Sequence, residues 1–113
     1  MNLTDILTDR RDREADFFDR PFEYGCRIEE YLEPDLPGCR VFLFGSTVEG
    51  HTTPGSDIDV LIYSPEMPEQ QADRAELAAS LTDVLGRVHP FELHFVGDEG
   101  LEWYRRMANL RDV

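Results

Sequence analysis

The chain has 113 residues, 41% of them apolar, and carries 24 acidic against 11 basic side chains for a formal charge of −13. That length supports one domain with a modest core, the apolar fraction excludes wholesale disorder, and the acidity excludes the basic stripe that long nucleic acid requires. No apolar run approaches the roughly 20 residues that span a bilayer, and the N-terminus lacks the basic-then-apolar layout of a signal peptide, so the expectation is a cytoplasmic protein without membrane contact.

Leu3, Ile6, Leu7, Phe17 and Phe18 predict a first helix over residues 3–18 with a narrow apolar edge. Pro21 opens a second over 21–33, with Phe22, Cys26, Ile28, Tyr31 and Leu32 at helical spacing. Pro34, Pro37 and Gly38 end it. Val41 to Phe44 read as a strand covered on both faces. A second strand follows in "DIDVLIY", where Ile58, Val60 and Ile62 face one way and Asp57, Asp59, Leu61 and Tyr63 the other.

Residues 69–85 predict a helix with Leu77, Leu81, Val84 and Leu85 inward and Gly86 as its stop. "HPFELHFV" is a third strand, with Phe91, Leu93 and Phe95 alternating with Glu92 and His94. The last helix, about 99–110, directs Leu101, Trp103, Tyr104, Met107 and Leu110 inward. The expected fold is α/β (α+β): a small mixed sheet of about three strands with helices packed on it. Helices occupy 1–36, the central core 37–97 and the C-terminal helix 98–113 of one domain.

All 11 basic residues are Arg, and Lys is absent. Acidic self-repulsion is relieved by salt, and at ~1 M the Debye length falls to ~3 Å, so a salt-rich, halophilic cytoplasm is expected. Cys26 and Cys39 form no metal-like cluster and are expected as buried, reduced thiols.

Between the first two strands, "FGSTVEGHTTPGSDID" joins a Gly-Ser pair to an Asp-x-Asp pair. Gly45 can take unusual dihedrals and admits close approach to its backbone. Ser46 and Glu49 have capping-box spacing, which starts a short helix that Gly50 ends. A strand feeding a helix start presents N–H groups and a hydroxyl to phosphate. Thr53-Pro54-Gly55-Ser56 fits a tight turn. Asp57 and Asp59, two apart on a strand, share a face. Oxygen ligands of this kind suit Mg²⁺, and Glu92 on the third strand would complete a three-carboxylate site for two ions ~3.5–4 Å apart. His94 shares the face of Glu92 and can line the same pocket. His51 reads as a solvated loop residue, His89 as structural, and Arg40 as the partner of a nearby carboxylate.

Residues 41–63 resemble the signature of the nucleotidyltransferase superfamily related to DNA polymerase β, and the short chain is similar to its minimal, MNT-type members. The resemblance spans residues 22–108. It implies a polymerase β-like fold in one nucleotidyltransferase domain, with Gly45 and Ser46 holding the triphosphate, and Asp57, Asp59 and Glu92 holding Mg²⁺. It implies transfer of an NMP, AMP above all, from an NTP such as ATP to an acceptor hydroxyl. It also implies a small helical HEPN-type toxin as partner, this chain being the antitoxin that modifies the partner's tyrosine. Two features depart from the family pattern: acidic Glu49 where many members are basic, and Glu92 where Asp is more frequent. Glu49 favours a second reading, a subunit with a weakened site that neutralises or scaffolds a partner by contact. The intact Asp57, Asp59 and Glu92 favour the enzyme. The nucleobase, the acceptor and any homo-oligomer are left open.

Overall fold

The structure, a computed structural model, describes residues 14–51 and 55–113. Leu3, Ile6 and Leu7 of the expected first helix, and Thr53 and Pro54 of the expected turn, lie outside the described residues. Residues 14–19 are helical (α1) and bury Phe17. Helix α2 (Pro21–Leu32) begins on Pro21, whose fixed φ and missing N–H suit a first helical turn.

Two acidic side chains, one within α2 and one at its end, fix the path of the chain into the sheet. The Glu33 carboxylate accepts the Gly38 and Cys39 N–H groups, at 3.2 and 3.1 Å, and Glu29 accepts the Val41 N–H at 2.9 Å. Strand β1 (Arg40–Phe44) is thereby tied to α2 at its start. Helix α3 (Ser46–Glu49) and strand β2 (Ile58–Tyr63) come next, then α4 (Gln71–Ser80), α5 (Thr82–Leu85), β3 (Phe91–Val96), α6 (Asp98–Met107) and β4 (Arg111–Asp112).

The sheet order is β3-β2-β1-β4, with β2 parallel to β3 and antiparallel pairing elsewhere. Parallel pairing needs a crossover, which α4 and α5 provide. One face of the sheet carries Val41, Leu43, Ile58, Val60, Ile62 and Phe91, packed against Phe17, Tyr24, Ile28, Leu32, Leu81 and Leu85. The other carries Phe42 and Leu61 under Leu101 of α6, with Phe44, Tyr63, Val96 and Tyr104 at its border. Covered faces explain the unbroken apolar runs of β1 and β2. Each fully buried aliphatic side chain there contributes about 1.5–3 kcal/mol.

Several expectations change. The sheet has four strands, because the last helix stops at Met107 and Ala108 turns extended (φ −135°, ψ 156°). Arg111 and Asp112 then pair with Leu43 and Phe42, covering a β1 edge that would otherwise be open. The helix expected over 69–85 is two, divided at Leu81, although its inward residues and its stop at Gly86 are as anticipated. In α2 the buried residues are Tyr24, Gly25, Ile28 and Leu32, whereas Phe22 and Cys26 are exposed. The cause is an aromatic cluster in which Tyr24 meets Phe17 edge-on at 4.8 Å and Phe91 at 5.9 Å. In α6, Leu101 is buried, but Trp103 and Met107 are 51% and 66% exposed. Cys39 is buried and its thiol is pushed up to about 12, first by burial and then by Glu29 and Glu33. Both cysteines are free thiols. Among the described residues no helix is long and apolar enough to cross a membrane.

Candidate active site

Strand β1 ends at Phe44, and the chain turns sharply at Gly45, with φ 76° and ψ −151°. Only glycine adopts that conformation without strain. Gly45 is the N-cap of α3, and its carbonyl accepts the Val48 and Glu49 N–H groups at 3.1 Å. Gly50, in the left-handed region, ends the helix as expected. The expected capping box between Ser46 and Glu49 does not form: the helix already starts at Ser46, and its cap makes no side-chain hydrogen bond. Ser46 is half-buried and Glu49 exposed.

Gly45 is also required by what approaches it. The β1–β2 register sets Phe44 opposite Asp59, which brings the Asp59 carboxylate against the Gly45 backbone. A Cβ at Gly45 would collide with Asp59 Oδ2. The Gly-Ser and Asp-x-Asp halves of the loop motif are therefore in contact in space.

The parallel β2–β3 register pairs Asp59 with Glu92 and Leu61 with His94. Side chains alternate along strands, so Asp59, Glu92 and His94 share one face. His94 Nε2 lies 3.4 Å from Asp59 Oδ1 and 3.9 Å from Glu92 Oε1. The His94 ring is flanked by Phe44 of β1, centroids 5.3 Å apart, and Tyr104 of α6 at 6.1 Å. Phe44 and Tyr104 also meet at 5.3 Å, so strand and helix together orient the imidazole. The side chains of Asp59, His94 and Glu92 are 25%, 27% and 54% exposed, leaving the site open to solvent.

Asp59, Glu92 and His94 each offer a ligand atom, all within 4.8 Å of one another. Two carboxylates at this spacing fit a divalent cation, whose charge would offset their repulsion. Asp57 is outside this group. It is exposed and lies one residue before β2, whose first residue, Ile58, donates its N–H to the Pro90 carbonyl at 2.7 Å. The expectation that Asp57 belongs to the strand is corrected accordingly. Ser56 is half-buried, and His51 is exposed. His89 Nδ1 accepts the Phe91 N–H at 3.1 Å, a structural contact. Arg40 pairs with Asp112 at 3.0 Å. A concavity of about 440 Å³ lined by Arg40, Tyr63, Asp98, Leu101 and Arg105 does not include the candidate residues.

Sequence reasoning does not identify the flanking role of Phe44 and Tyr104. The helical spacing of Tyr104 predicts only a core position, and nothing in it indicates that the ring meets an imidazole from another element.

Residues 26–112 match the sequence model of a family described as "Nucleotidyltransferase domain". Among curated proteins, none matches the sequence. The crystal structure of one candidate nucleotidyltransferase superposes with a TM-score of 0.61 at 29% identity, over 77% of this chain and 94% of the other. A second candidate, from Sulfolobus solfataricus, gives 0.60 at 21% identity, over 87% and 85%. A toxin–antitoxin structure with AMP-PNP gives 0.52 at 22% identity, over 76% and 70%.

Proposed function

Because the chain belongs to the nucleotidyltransferase domain family, we propose that it transfers a nucleoside monophosphate from a nucleoside triphosphate to an acceptor hydroxyl, whose oxygen displaces pyrophosphate from the α-phosphorus as its proton is lost, using Asp59 and Glu92 as its central carboxylates. The observation that carries this reading is the register that sets Asp59 beside Glu92 on β3 and against Gly45 at the start of α3. Gly45 and Ser46 receive the triphosphate, since a first helical turn leaves N–H groups without intrahelical partners. Asp57, at the mouth of β2, joins Asp59 and Glu92 in holding Mg²⁺ or a similar ion. A bound divalent cation supplies neutralisation of phosphate charge and activation of the acceptor hydroxyl. The residues themselves supply position: rigid strands hold the carboxylates, and the β1–α3 turn holds the phosphates at a set distance from them. Glu49 is exposed at the far end of α3, where solvent and salt screen its charge.

ATP as donor and a protein as acceptor are the favoured substrates. The toxin–antitoxin neighbour supports a paired-protein system, and the proposed partner is a small helical HEPN-type protein modified on tyrosine, with this chain as antitoxin. The test is incubation with α-labelled ATP, a divalent cation and the product of the adjacent gene. Label should pass to the partner, and Asp59→Asn or Glu92→Gln should slow transfer by about 100-fold or more. Tight partner binding without transfer, unaltered by either substitution, would establish contact-only neutralisation instead.

A further inference from the structure

The convergence of an imidazole on the two carboxylates bears on which metal ion the site selects. His94 Nε2 is nearer to Asp59 Oδ1, at 3.4 Å, than a bystander on the next strand need be, and it also lies 3.9 Å from Glu92 Oε1. Its ring is held from two directions, by Phe44 on β1 and by Tyr104 on α6. An imidazole fixed in this way presents one nitrogen to the space the carboxylates share, with little rotamer freedom left to lose on ligation. We infer that His94 is a ligand of the bound cation, so that an imidazole joins the carboxylates in the donor set and the site takes a first-row transition ion such as Mn²⁺ in preference to Mg²⁺.

The chemical reason is ligand preference. Mg²⁺ favours oxygen donors in a strict octahedron and gives up water reluctantly. Imidazole is a poor exchange for one of those waters but a good ligand for transition ions. A site of carboxylates alone suits Mg²⁺, whereas adding nitrogen raises transition-ion affinity selectively. A different role for His94, hydrogen-bonding to Asp59 and merely positioning it, would change the affinities of both ions together.

The purpose of the ion rests on the nucleotidyl-transfer reading, but the donor set can be tested without nucleotide. Mn²⁺ is titrated into the purified chain, bound ion is followed by electron paramagnetic resonance, and Mg²⁺ competes. Pulsed spectra of bound Mn²⁺ should show a directly coordinated nitrogen, and labelling the protein with ¹⁵N-histidine should convert that signal to ¹⁵N. His94→Gln should remove it and lower the Mn²⁺/Mg²⁺ affinity ratio by about tenfold or more. Bound Mn²⁺ without nitrogen coupling in the unsubstituted protein overturns the inference, whether or not the variant folds. An unchanged affinity ratio in a folded His94→Gln protein overturns it too. If nitrogen-coupled Mn²⁺ is found but no acceptor receives label, the transfer reading falls and the ligand assignment stands. If label passes but no nitrogen coupling is seen, the reverse holds.

Discussion

Replacing Gly45 by alanine tests how the two halves of the loop motif meet. The backbone conformation, φ 76° and ψ −151°, lies in a region essentially confined to glycine, and occupying it with a Cβ costs about 1–3 kcal/mol. The new methyl also collides with the Asp59 carboxylate, and forced overpacking adds about 1–3 kcal/mol. The total is about 2–6 kcal/mol, a large share of the roughly 5–15 kcal/mol that stabilises a domain. The two contributions separate in a double-mutant cycle with Asp59→Ala. The Asp59 Cβ is 3.6 Å from the position of the added methyl, an ordinary contact, so removing the carboxylate removes the collision and leaves the backbone strain. Urea unfolding of the four proteins should therefore give a coupling of about 1–3 kcal/mol, with Gly45→Ala costing less in the Asp59→Ala background. Equal costs in both backgrounds would refute the claim that Asp59 packs on the turn.

Three further outcomes are expected. Ser64 is wholly buried, donates to the Pro37 carbonyl at 2.9 Å and accepts the Glu66 N–H at 3.0 Å; Ser64→Ala leaves both groups unpaired and should lower unfolding free energy by about 1–3 kcal/mol, measured with urea. Burial lowers the His89 pKa, so the unfolded chain binds its proton more readily; stability should be full above the unfolded value near ~6.5 and decline as pH falls toward the folded one. His89→Asn, which keeps an acceptor two residues before Phe91, should flatten that decline between pH 7.5 and 5.5, and parallel pH profiles for the two proteins would count against it. Finally, the charge of −13 predicts that the thermal midpoint rises as KCl is raised toward ~1 M, and a maximum at low salt would exclude adaptation to a salt-rich cell.

Much of this protein was legible without its fold. The order of helices and strands followed from apolar periodicity and from Pro and Gly punctuation, because these act locally. Val41 to Phe44 could be read as a strand covered on both sides, Gly50 and Gly86 could be read as helix stops, and the alternation of Glu92 and His94 with Phe91, Leu93 and Phe95 already assigned their faces. Where two faces of one helix were both plausible, the local pattern failed. Tyr24 rather than Phe22 or Cys26 is buried in α2, since Phe17 and Phe91 come from elsewhere in the chain to receive it. Trp103 and Met107 stay outside because α6 turns Leu101 and Tyr104 toward the sheet, onto Phe42, Leu61 and Phe44. The fourth strand was invisible, as two residues carry no period and pair only because β1 has an open edge.

The candidate site divides in the same way. The sequence by itself determined which residue types stand at the ends of β1, β2 and β3, and hence the chemistry available: a glycine turn, carboxylates and an imidazole. Tertiary structure alone decided which of them meet. Parallel pairing of β2 with β3 sets Asp59 against Glu92 and brings His94 within reach, antiparallel pairing with β1 presses Asp59 onto Gly45, and Asp57 is left at the mouth of the strand. Register is a property of how strands pair across the chain that separates them, residues 64–90 between β2 and β3, and local periodicity does not encode it.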